Sequence, residues 1–204
     1  MRILTLYTIA LLSGFSIMGY EILGSRVLAP YFGSSIYVWG GLIAIFMFGL
    51  SIGYTVGGKV ADSHNPAIKL GYIIFYSVVF IFPVSYYGKH ICNAIAAMPI
   101  NIKYSALIAS TILFTAPCIC LGAISPCLIK LSIDNKQQKV GKMVGNIYTA
   151  STIGSILGTL FVSFYLIGLV GTIKGVRLLC VPLTISSILS FIYPFYKNSN
   201  VTID

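Results

Sequence analysis

The chain has 204 residues, of which 57% are hydrophobic and only 8% charged. A soluble domain carries about 25% charged residues, so this chain cannot cover a water-facing surface. Its net charge of +9 is not a nucleic-acid footprint, because the basic residues stand singly between apolar runs, with no basic stripe interleaved with exposed aromatics.

The composition reads as an all-α, polytopic membrane protein whose first partner is the lipid bilayer. One transmembrane domain is expected over 1–196, with a short cytoplasmic tail at 197–204. Six spans emerge, at about 3–24, 36–57, 66–87, 104–132, 143–170 and 177–195. Each is close to the roughly 20 residues that cross the hydrocarbon core. Backbone groups in lipid must be satisfied within the segment, so the spans are expected to be helices. A lipid-facing barrel would need polar–apolar alternation, which is absent.

The first run, "MRILTLYTIALLSGFS", has the flavour of a secretory leader. It continues apolar to about Gly24 without a small-residue cleavage pattern, so it is taken as an uncleaved first helix. Near its end lies "YEILGSR" at 20–26. Glu21 is one of four acidic residues in the chain, and an ionisable group inside a membrane is a functional candidate by default. Two readings stay open. Glu21 pairs with a cation at the outer end of the helix, most simply Arg26, or it takes part in a transport or binding path. Five residues along a continuous helix is about 140° of rotation, so pairing with Arg26 requires the helix to end near Gly24. The next stretch, "RVLAPYFGSSIYVW" at 26–39, reads as an interfacial or re-entrant segment whose aromatics anchor it at the membrane surface.

The second span carries Gly49, Gly53 and Gly57 at a four-residue step, and the fifth carries Ala150, Gly154 and Gly158. Such a step keeps small residues on one helix face and lets backbones approach. Packing within the chain is the first use expected of these faces, and a homodimer seam the second. The two helices hold equivalent places in two halves of three, which suggests a 3+3 internal repeat. Between spans two and three, "GYTVGGKVADSHNPAIKL" at 53–70 ends in a helix start, with Asn65 as cap and Pro66 in the first turn. The fourth segment contains Pro117, Gly122 and Pro126, and a kink or helix break is expected at the prolines.

Orientation follows from Lys and Arg. Eight lie on the side of the termini, five on the other, with the excess concentrated in "KLSIDNKQQKVGK" at 130–142. Both termini are therefore expected in the cytoplasm, and the chain in the cell (inner) membrane. The five cysteines, Cys92, Cys118, Cys120, Cys127 and Cys180, fall mostly inside spans and do not form a disulfide framework. His64 and His90 are expected in loops. No cofactor or metal is expected, and "NVT" at 200–202 is a chance sequon in a cytoplasmic tail.

The loop at 53–70 resembles the short cytoplasmic motif of major facilitator transporters. Gly58, Ala61, Asp62 and Lys69 stand at its Gly, Ala, Asp and basic positions, and the resemblance implies a charge lock between neighbouring helices. More broadly, "LSGFSIMGYEILGSRVLAPYFGSSIYVWGGLIAIFMFGLSIGYTVGGKVAD", "PCICLGAISPCLIKL" and "VGKMVGNIYTASTIGSILGTLFVSFYLIGLVGT" are similar, in that order, to the membrane region of integral-membrane, fused MFS/spermidine synthase-like proteins. That implies a half-MFS-like unit. Fused members also carry a soluble aminopropyltransferase-like domain. This sequence has no Gly-rich turn between strand and helix patterns and no acidic cluster, so it is not expected to be an enzyme by itself. Two functions follow as expectations. One is a transporter-like protein for a small molecule or polyamine. The other is a membrane anchor or regulatory subunit for a separately encoded soluble synthase-like partner.

Overall fold

The computed structural model describes residues 2–133 and 140–198. All regular structure among them is helical. The helices are α1 (Arg2–Phe32), α2 (Ile36–Ala61), α3 (Pro66–Ala96), α4 (Ile102–Ser132), α5 (Val140–Phe161), α6 (Ile167–Leu178) and α7 (Cys180–Asn198), with a π-helical turn over Val162–Leu166 between α5 and α6. The basic stretch at 134–139 and the sequon at 200–202 lie outside the described residues.

Five stretches are long and apolar enough to cross a bilayer: Ile3–Phe32, Ile36–Ala61, Pro66–Ala96, Ile102–Ser132 and Val140–Pro194. The fifth runs for 55 residues, but it is not one rod. Gly171 breaks it with φ 76° and ψ 172°, a conformation open to glycine and strained for other residues. The outer surface is what lipid requires. Met47, Phe48, Phe75, Ile156, Leu157 and Phe164 are all exposed, and in water an apolar surface of that extent would be an aggregation site.

Three expectations about element limits are corrected. Helix α1 does not end near Gly24. The face of Gly24 is covered instead, with Phe114 and Leu42 within 3.5 Å of where a Cβ would sit. The helix runs on through Pro30 to Phe32 and stops at Gly33, whose φ of 76° is the left-handed cap conformation and whose N–H donates to the Ala29 carbonyl at 3.0 Å. The stretch from 26 to 32 is therefore helix, not a re-entrant segment. Helix α3 likewise continues past residue 87 to Ala96, so His90 lies in a helix, not a loop. Finally, Pro117 and Pro126 do not break α4, which is continuous over 31 residues. A proline inside a membrane helix is tolerated where packing against neighbours holds the chain around it, and Pro117 is buried in that way.

Helix α2 packs along α4, and α5 along α1; α3 lies against α4 and α7, and α7 also meets α1. Glycine sets the first two seams. A Cβ on Gly53 would fall on the carbonyl oxygen of Ile119. One on Gly57 would lie 2.5 Å from that of Ala123, and one on Gly49 would lie 2.6 Å from Cys118 Cβ. From the other side, a Cβ on Gly122 would come 2.6 Å from the Leu50 carbonyl oxygen. On the second seam Gly154 and Gly158 press in the same way on the carbonyls of Leu11 and Phe15, and Gly14 on that of Ser151. Both ladders are thus engaged within the chain. Lipid tails are as apolar as the side chains, so close backbone packing of this kind is what holds such helices together.

Candidate functional site

Glu21 lies nineteen residues beyond the start of α1, roughly 28 Å along it at 1.5 Å per residue. It is half-buried, and Cys118 of α4 is close enough to interact with it electrostatically. Its neighbour Tyr20 is fully buried against the rings of Phe46 and Phe114. Because α1 continues through Gly24, Glu21 and Arg26 point to different sides. Among the described residues no ion pair joins them; the pair that forms is Lys130 with Asp62.

Arg26 lines a cavity of about 350 Å³ at the end of the bundle away from the N-terminus. Its walls come from three helices, with Arg26, Pro30 and Tyr31 from α1, Ser85, Tyr86 and Lys89 from α3, and Thr172 and Ile173 from α6. The break at Gly171 begins the segment that supplies the last two. Arg177, one helical turn beyond Ile173, donates from Nε to Ser85 Oγ at 3.1 Å. Its guanidinium lies 4.2 Å from the ring centre of Tyr86, a cation–π contact. Lys89 and Arg177 were counted from the sequence only as topology markers. Their convergence with Arg26 depends on how α1, α3 and α6 pack.

At the opposite end, Asp62 caps the last turn of α2 and its Oδ1 accepts from Lys130 Nζ of α4 at 2.8 Å. A charge contact between neighbouring helices therefore exists here, and its basic member is Lys130. Lys69 instead donates to Ser63 Oγ at 2.8 Å. The side chains of Lys130 and Asp62 are 55% and 75% exposed, and an exposed pair of this kind contributes at most about 1 kcal/mol. Gly58 meets nothing within 4 Å. Asn65 holds the cap position of α3 with φ 56° and makes no side-chain cap, while Pro66 occupies the first turn.

Among the described residues no three of His, Cys, Asp and Glu come together as a metal-holding group, and all five cysteines are unpaired thiols. What fold and composition define is an all-helical chain of multi-pass membrane character. Comparison with family models, with curated proteins and with solved structures finds no match.

Proposed function

We propose that the chain crosses the cell (inner) membrane six times with both termini in the cytoplasm, as a half-MFS-like, transporter-like protein related to the membrane region of the spermidine synthase-like family. On this reading Val140–Pro194 crosses twice, turning at Gly171. The observation that carries the reading is the correspondence between the two glycine seams. A shift of 101 residues takes Leu50, Gly53 and Gly57 of α2 onto Ser151, Gly154 and Gly158 of α5. A shift of 108 takes Leu11, Gly14 and Phe15 of α1 onto Ile119, Gly122 and Ala123 of α4. Three of the four close contacts carry over: Gly53 on Ile119 becomes Gly154 on Leu11, Gly57 on Ala123 becomes Gly158 on Phe15, and Gly122 on Leu50 becomes Gly14 on Ser151, while Gly49 answers to Ala150. The wider pairing follows the same exchange, with α3 against α4 answered by α7 against α1. This supports a 3+3 repeat, and inverted repeats of that kind are a common way of building transporters around a site near the bilayer midplane.

Glu21 is the residue this reading places on the path. It is half-buried in a membrane helix and makes no ion pair with a described residue, a costly arrangement unless a cation or proton visits it. Flux of polyamines and other small metabolites into proteoliposomes tests the proposal. Glu21→Gln is expected to lower uptake about tenfold, or 1.4 kcal/mol of lost stabilisation. Unchanged uptake would take Glu21 off the path, and no flux above protein-free vesicles would remove transport altogether. The topology is checked separately. Reporters fused at Met1 and Asp204 are expected on the same, cytoplasmic face, and opposite faces would overturn the six-span reading.

A further inference from the structure

We infer that the cavity between α1, α3 and α6 is a binding site for a phosphate-bearing anion. Three cations from three separate helices meet there: Arg26 and Lys89 in the wall, and Arg177 gripping two wall residues, Ser85 and Tyr86. The acids among the described residues are Glu21 and Asp62, and neither lines the cavity. Arg26 and Lys89 are exposed, so water and salt screen their mutual repulsion, and a positive pocket with no acid of its own attracts an anion from outside the chain. If both termini are cytoplasmic, the cluster is on the opposite face, where the topological bias for positive charge does not put it.

The donor set selects the class of anion. Arg177 is held in one orientation by the Ser85 hydroxyl and the Tyr86 ring, and its guanidinium offers the planar fork that matches phosphate oxygens. Lys89 adds a point charge, and Tyr31 and Thr172, also in the lining, carry hydroxyls that can act as neutral donors. The depth selects the setting. Arg26 lies roughly 36 Å along α1, beyond the hydrocarbon thickness of about 30 Å, where phospholipid headgroups sit. Basic pockets between membrane helices hold anionic headgroups on the cytoplasmic side of other membrane proteins, and the same donor chemistry applies at this face. A headgroup phosphate and a soluble phosphate present the same chemistry to these donors. The inference stands whether or not the chain moves a solute.

The test uses the full chain in nanodiscs of phosphatidylcholine, with and without phosphatidylglycerol, and reads thermal unfolding together with lipid retained in native mass spectrometry. Inorganic phosphate is titrated into the phosphatidylcholine discs as the other arm. A saturable rise in Tm is expected in at least one arm. A rise with phosphatidylglycerol alone identifies a headgroup site, and a rise with phosphate identifies a site for the free ion. Arg26→Gln and Lys89→Gln are each expected to weaken the effect about tenfold. Lys89 is exposed, so its replacement keeps the fold. Lys103 is the control. It lies over the Tyr37 ring at 3.8 Å and does not line the cavity, so Lys103→Gln should leave the effect unchanged. No saturable rise in either arm, or an equal loss with Lys103→Gln, overturns the inference.

Discussion

Replacing Gly154 by alanine is expected to destabilise the protein by about 2–3 kcal/mol, a large share of the roughly 5–15 kcal/mol that holds a typical domain together. The new methyl would fall on the Leu11 carbonyl oxygen, with Leu11 C at 2.7 Å and Cα at 2.9 Å. All three are backbone atoms, so no rotamer change relieves the clash and α5 must move away from α1. Gly145→Ala on the same helix meets nothing within 4 Å, so it is expected to be neutral or to gain up to about 1 kcal/mol of helix propensity. The α2 seam offers a sharper pair. Gly57→Ala would put its methyl 2.5 Å from the Ala123 carbonyl oxygen, whereas Gly58→Ala, one residue on, meets nothing. Unfolding in mixed micelles reads all four variants. Equal behaviour of Gly57→Ala and Gly58→Ala would show that the seam is not tightly closed.

The same glycines explain what could be read from the sequence. A four-residue step of small residues marks a close-packing face whichever helix it meets, so both ladders were visible. The partner helices and the register were not, because Leu11, Phe15, Ile119 and Ala123 contribute backbone carbonyls, which leave no trace in residue type. Gly24 misled for a related reason. Glycine serves both as a helix stop and as a place for a neighbouring ring, and only the position of Phe114 distinguishes the two uses. The start of α3 was legible, since Asn65–Pro66 follows a polar stretch and proline's missing N–H costs nothing in a first turn. Its end was not, because the bilayer core sets how much of a helix must be apolar and not how far it continues. Helix α3 runs past Lys89 and His90 to Ala96. Asp62 was found from the loop motif, but its partner Lys130 lies 68 residues away. The cationic cavity is the extreme case. Arg26, Lys89 and Arg177 are scattered in sequence, and it takes the packing of α1, α3 and α6 and the break at Gly171 to bring them together.

The three-ring cluster beside Glu21 makes two predictions of opposite sign. Tyr20, Phe46 and Phe114 are all buried to 1% exposure or less, with ring centres 5.5 to 5.6 Å apart. Phe114→Ala removes the ring that touches both others and covers Gly24. In a water-soluble core such a change costs about 3–5 kcal/mol. Part of that is transfer out of water, which lipid does not supply, so the cavity left behind sets the cost and about 2–3 kcal/mol is expected here. Tyr20→Phe should do the reverse. Tyr20 Oη is buried, and no described group is within hydrogen-bonding reach of it. An unmet hydroxyl costs about 1–3 kcal/mol, and its removal leaves the ring contacts intact. Stability is therefore expected to rise by about 1 kcal/mol, read as a higher midpoint in the same unfolding assay. A fall would mean that the hydroxyl holds something the chain does not itself provide.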